Sequence, residues 1–200
     1  MAGAGRRLIN DARRTQLLEV GLELFSTTAF DSVSIDEIAR RVGISRGLLY
    51  HYFASKRVFY VEIVRLAASD LLSRLGQGEV GSPTERLRAD LTAYLDFVVE
   101  RSAGFVTLLR GGIGSDPEVQ QVLDETRTAI VGHVLDGIGI DEPAPPLSVA
   151  LYGWVGYVES ASLRWLTLEV EDRPAAADLV DLFRRLLATA LEASGAAAGR

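Results

Sequence analysis

The sequence predicts an all-α chain, with a three-helix helix-turn-helix head joined by a connector helix to a larger helical body. Three observations predict it. Apolar residues recur at spacings of three and four along most of the chain, and no strand alternation of convincing length interrupts them. One short segment opens on a hydroxyl–Glu capping signal and closes on glycine, and a second serine opens another helix two residues later. Glycine- and proline-rich breaks divide the remainder into long amphipathic stretches.

In Arg13–Phe25, the residues Leu17, Leu18, Gly21, Leu24 and Phe25 form one stripe. Thr27–Val33 breaks it with β-branched and polar residues. Ser34-Ile-Asp-Glu37 is a capping box, Ile35, Ile38, Ala39 and Val42 make the buried stripe of its helix, and Gly43 stops it. Ser45 opens a second short helix, Arg46–Phe53, and so tight a turn between two helices fits a helix-turn-helix. Ser55 caps a longer connector through Leu75. Gly76–Pro83 is a loop, Thr84–Ala103 a helix, and Gly104–Ser115 a short apolar stretch followed by glycines. Asp116-Pro117 starts a helix running to about Leu135, with Pro at the first position and acid at the positive dipole end. Leu147–Leu168 and Ala175–Ala193 are the last two helices. The expected organisation is a disordered arm at 1–9, a head at 10–57, a helical body at 58–194 and a disordered tail at 195–200.

With 200 residues and 21.7 kDa, the chain is long enough to bury a core without staples. It has no cysteine, which excludes disulfides, Cys-type zinc sites and thiol nucleophiles. The hydrophobic fraction of 48% and charged fraction of 24% suit a folded globular protein. The longest uncharged stretch, Pro143–Val158, holds three prolines and is shorter than the ~20 apolar residues a membrane span requires. No apolar run suggests a signal peptide, so a cytoplasmic protein without a membrane partner is expected.

Net charge is -6, which by itself argues against a polyanionic partner. The charge is unevenly placed. Residues 1–60 hold nine basic and six acidic residues, whereas the remaining 140 hold twelve basic and twenty-one acidic. A basic head on an acidic body implies that only the head approaches a polyanion; the plainer reading is chance clustering of surface charge.

The informative stretch is Val33–Lys56. In a helix-turn-helix the first helix lies across the DNA backbone and the second enters the major groove with its amino end toward the bases. Ser45 and the free amides beside it can hold a phosphate. Arg46 reaches guanine, where a bidentate contact contributes about 1–3 kcal/mol of discrimination. Gly47 permits close approach of the backbone. Tyr50, His51 and Tyr52 cannot all face one direction on a helix, so at least two point toward solvent or a partner. Leu49 and Phe53 turn inward.

These residues resemble the tetracycline-repressor (TetR) family of bacterial regulators. The resemblance runs from Arg14-Thr-Gln-Leu-Leu-Glu-Val-Gly-Leu-Glu-Leu-Phe25 through Ser34, Ile38-Ala39, Gly43-Ile-Ser45 and Gly47 to Tyr50-His-Tyr-Phe53 and Ser55-Lys56, covering residues 10–60. It implies base or groove contacts by Arg46, Gly47 and Tyr50, with Leu48 at a position that varies with operator and can touch a thymine methyl. It implies phosphate contacts by Ser34, Ser45, His51, Tyr52 and Lys56, the chain's single lysine. Two departures stand out. Ala29 precedes Phe30 where the family has glycine, which suggests a strained turn if φ is positive there. Val42 replaces a smaller alanine before Gly43.

For the body, the resemblance implies a helical ligand-binding and dimerisation domain, and a double-stranded DNA operator read by a homodimer. Symmetry supports the dimer independently, because one short reading helix covers too few bases. Two stripes are interface candidates: Leu151, Val155, Val158 and Ser162 in the penultimate helix, and Leu179, Leu182, Phe183, Leu186, Leu187 and Ala190 in the last. The alternative is that they face their own core. Tyr94, Phe97, Phe105, Leu109, Trp154, Tyr157 and Trp165 can line an apolar cavity, with His133 and Glu159 as polar anchors, which would suit a small lipophilic effector. Plain core is the competing reading for each.

No catalytic residue, metal site or cofactor motif is expected. Only His51 and His133 are available, and there is no P-loop, dinucleotide fingerprint or metal-spaced pair. The expectation is therefore a ligand-responsive DNA-binding regulator, acting as a repressor on a palindromic operator. Two further alternatives are a DNA-binding regulator without a ligand switch and a helical ligand-binding module whose head no longer binds DNA.

Overall fold

The structure is a computed structural model that describes residues 2–77, 81–110 and 112–195. The described residues form nine α-helices and no strand: α1 Ala2–Thr27, α2 Ile35–Val42, α3 Arg46–Tyr52, α4 Lys56–Arg74, α5 Pro83–Glu100, α6 Ser102–Arg110, α7 Pro117–Ile138, α8 Pro145–Leu166 and α9 Ala176–Ala193. None of these helices is long and apolar enough to cross a membrane.

Two compact units divide the chain, one comprising Met1–Ser69 with Arg101–Val122, the other Asp70–Glu100 with Leu123–Arg200. The helices α4 and α7 each continue from the first unit into the second. This partition is drawn differently from the head at 10–57 and body at 58–194, because α6 and the start of α7 pack with the helix-turn-helix.

The first unit is built around α1. Leu17, Leu24 and Phe25 are buried with Ile38 of α2, Leu49 of α3, and Phe59 and Ile63 of α4. The Phe25 ring meets Tyr60 edge-on at 5.2 Å, and Phe53 meets Phe59 at 4.7 Å. Such pairs stabilise beyond the area they bury. The segment expected as a short apolar stretch after Ala103 is the body of α6. Gly104 allows α6 to lie against α1, since a Cβ there would sit 2.6 Å from the Phe25 carbonyl oxygen. The backbone of residues 2–9, expected as an arm, is assigned to α1. Met1, and residues 196–200 of the expected tail, lie outside the described residues.

In the second unit α9 packs on α5 and α8. Its core takes Leu91, Leu95 and Val98 from α5, Leu147, Leu151, Trp154, Val155 and Val158 from α8, and Leu179, Val180, Phe183 and Leu187 from α9. The Trp154 Nε1–H donates to the Phe183 carbonyl at 2.9 Å and the Trp165 Nε1–H to the Pro174 carbonyl at 2.8 Å. Polar pairs tie α7 to its neighbours: His133 Nε2 to Asp90 of α5 at 2.8 Å, Arg127 to Glu159 of α8 at 2.9 Å, and Thr128 to the Tyr152 hydroxyl at 2.8 Å.

Of the residues expected at a dimer stripe, Leu151, Val155, Val158, Ser162, Leu179, Phe183 and Leu187 are buried within the single chain. Leu182, Leu186 and Ala190 are half-buried. The outward face of α8 instead shows Val149 at 74% exposure, with Tyr152 and Tyr157 at 42% each.

Candidate nucleic-acid interface

The local sequence builds α2 and α3 through their caps. Ser34 Oγ accepts the Glu37 N–H at 3.1 Å, and Ser45 Oγ accepts the Leu48 N–H at 3.2 Å. Between them Gly43 adopts φ 70°, a left-handed conformation that glycine takes at little cost, and Ile44 N–H returns to the Ala39 carbonyl at 2.9 Å. The hydroxyls of Ser34 and Ser45 each accept at a cap and keep their own O–H to give to a phosphate oxygen. Ala29 lies at φ -62° and no described residue other than glycine has positive φ, so the turn before Phe30 carries no left-handed strain. Val42 is half-buried at the end of α2.

On α3 the side chains separate cleanly. Leu49 is buried, as is Phe53, which closes the helix. Arg46, Gly47, Leu48, Tyr50 and His51 are exposed, Leu48 and Tyr50 to 39% each. Tyr52 is half-buried, its ring edge-on to His51 at 5.7 Å. The Arg46 guanidinium lies 5.6 Å from the Tyr50 ring centroid, one helical turn away, and Nη1 reaches Asp36 Oδ2 at 3.3 Å. Asp36 was not anticipated as a site residue. It pairs the first residue of α3 with the first turn of α2, next to the cap Ser34. Its position in the acid-rich first turn of α2 is the signal that bears on it.

Lys56, expected at a phosphate, is engaged within its own chain. It is half-buried, its Nζ donating to the Phe30 carbonyl at 2.6 Å and lying 4.0 Å from the Phe30 ring centroid. Burial lowers its pKa from 10.5, partly opposed by the negative charge of Asp31.

The residues expected to line an effector cavity fall in both units. Phe105 and Leu109 belong to the first unit and the others to the second. Trp154 and Trp165 are core residues bonded to carbonyls, Tyr157 is on the outer face, and His133 and Glu159 are engaged by Asp90 and Arg127. Phe97 is buried on α5, close to Tyr94 in the sequence. Tyr94 is buried beside Ser162 and Glu159, and its hydroxyl and Ser162 Oγ lack a hydrogen bond of normal geometry. Burial pushes the Tyr94 hydroxyl well above the usual phenol range.

Comparison with known proteins agrees with this arrangement at both ends of the chain. Residues 17–63 match the model for bacterial regulatory proteins of the tetR family, and residues 83–186 match that for the tetracyclin repressor-like C-terminal domain. The HTH-type transcriptional activator FasR of Mycolicibacterium smegmatis is 29% identical over 85% of this chain and 78% of its own length. A tetR-family transcriptional regulator from Streptomyces coelicolor superposes with a TM-score of 0.84 at 35% identity, covering 93% of this chain and 83% of that one. The Bacillus subtilis regulator FadR, solved in complex with stearoyl-CoA, shares the fold, with a TM-score of 0.68 at 14% identity over 88% of this chain and 98% of that one. With the reading helix, its caps and both domain matches in register, this chain belongs to the TetR family of DNA-binding transcriptional regulators.

Proposed function

We propose that the protein is a homodimeric repressor that reads a palindromic operator with α3 and releases it on binding a small lipophilic effector, acting by binding rather than catalysis. The observation that carries this reading is the exposed face of α3. Arg46, Gly47, Leu48 and Tyr50 are exposed on a helix whose inner side, Leu49, is buried in the core. In this reading they contact bases or the groove, while Ser34, Ser45, His51, Tyr52 and Lys56 hold phosphates. One such helix spans too few base pairs for a specific site, so two heads related by a two-fold read the half-sites. The outward face of α8, with Val149, Tyr152 and the uncrowded Gly153 and Gly156, supports a helical dimer contact there.

The effector reading is supported by the acyl-CoA complex of FadR, a protein of the same fold. FasR is by name an activator, so where the operator lies relative to the promoter decides the sign of regulation.

The test is selection of bound fragments from a random duplex pool at two salt concentrations. An enriched palindrome whose affinity falls steeply as salt rises supports the two-headed regulator, because phosphate contacts release counterions. Weak binding without an enriched sequence overturns it.

A further inference from the structure

We infer that Arg57 is a positioning residue of the reading head: its guanidinium fastens the first turn of α4, and with it the corner between α3 and α4, to Asp116 at the start of α7. The inference rests on the DNA-binding reading above and uses only residues of the first unit.

The geometry is that of a fork on a fork. Arg57 Nη2 donates to Asp116 Oδ1 at 2.7 Å, Nε donates to Asp116 Oδ2, and Nη1 donates to Glu118 Oε1 at 3.0 Å. Planar bidentate pairing fixes direction as well as distance. Asp116 is itself held, because its Oδ1 also accepts the Glu118 N–H at 3.0 Å and caps α7. Its side chain is only 13% exposed, against 40% for Arg57. Val119 and Val122, in the next turns of α7, are buried. The anchor is therefore a capped, packed helix end rather than a loose surface carboxylate.

On the other side, α3 ends at Tyr52 and α4 begins at Lys56. Phe53 and Ser55 make the corner, Phe53 by burial and Ser55 by capping α4 through the Val58 N–H at 3.1 Å. Core packing of Phe53 against Phe59 fixes one side of α4, and the Arg57 clamp fixes another. Asp116 stands immediately before α7, which begins at Pro117.

Substitution of Asp116 separates this role from a direct phosphate contact by Arg57. Asp116→Ser keeps a capping hydroxyl and removes the carboxylate. If Arg57 merely bound phosphate, losing one of the two acids that hold the guanidinium would raise DNA affinity. If the clamp positions the head, Asp116→Ser lowers affinity for the duplex enriched by the wild-type protein by roughly five- to tenfold. Arg57→Gln then lowers it by a similar factor, the double variant is no worse than either alone, and Arg57→Lys recovers part of the loss. A rise or no change with Asp116→Ser, or additive losses, overturns the inference.

A second readout needs no DNA. Amide hydrogen exchange across residues 53–59 of the full-length protein is expected to quicken in Asp116→Ser while the protection of α9 is retained. Unchanged exchange in that segment overturns the clamp. Absence of any enriched duplex with the wild-type protein would instead sink the DNA-binding reading, leaving the exchange result to judge the clamp.

Discussion

Lys56 Nζ donates to the Phe30 carbonyl at 2.6 Å while standing 4.0 Å from the centroid of the same residue's ring. The single lysine of the chain thus ties the start of α4 to the turn between α1 and α2. An ammonium has three N–H donors, so one bond to Phe30 leaves others for a phosphate. Lys56→Gln is expected to weaken binding to enriched and random duplexes alike and to flatten the salt slope by about one unit. Titration of affinity against salt for both duplexes checks this, and an unchanged slope would remove Lys56 from the phosphate contacts.

Gly47 offers a test in which stability and binding move in opposite directions. A Cβ built there meets nothing closer than Ser45 Oγ at 4.0 Å, so the free protein has room for alanine. Gly47→Ala is expected to raise stability by about 0.5–1 kcal/mol through helix propensity. If Gly47 lies against the duplex, operator affinity nonetheless falls. Denaturant melts paired with binding titrations read both, and tighter or equal binding would place Gly47 away from the DNA.

Tyr60 contributes to the loss of stability at alkaline pH. It is buried between Phe25 and Phe30, and burial pushes its hydroxyl pKa up from 10.0 to about 12. In that window the unfolded chain loses the proton and the folded one keeps it. The stability this contributes is therefore complete below pH 10 and lost as pH rises toward 12, a loss of about 2–3 kcal/mol by linkage. Tyr60→Phe should flatten the fall of stability between pH 10 and 12. Urea unfolding across that range measures it, and an identical fall in both proteins would contradict the assignment.

The two faces of α8 should respond differently. Val149 is 74% exposed and Leu151 is fully buried. Val149→Glu is expected to shift the protein toward monomer in sedimentation velocity with little change in folding. Leu151→Ala should cost about 2–5 kcal/mol of stability by leaving a cavity. A dimer that survives Val149→Glu unchanged would move the interface away from this face.

The sequence by itself determined what depends on neighbours within a few residues. Ser34, Gly43, Ser45 and Ser55 carry their capping roles in their own chemistry, and the inward positions Leu17, Leu24, Ile38, Leu49 and Phe53 follow from a period of 3.6. The α3 face was legible for the same reason. Tertiary structure decided whatever depends on residues far apart in the chain. Nothing local pairs Arg57 with Asp116, or Arg46 with Asp36, or brings Gly104 of α6 onto the Phe25 carbonyl. Periodicity found the apolar stripes of α8 and α9 but not what covers them, because an amphipathic helix buries its stripe equally well against its own chain or a partner. Here α5, α8 and α9 cover one another, and Val149 stands exposed on another face of α8.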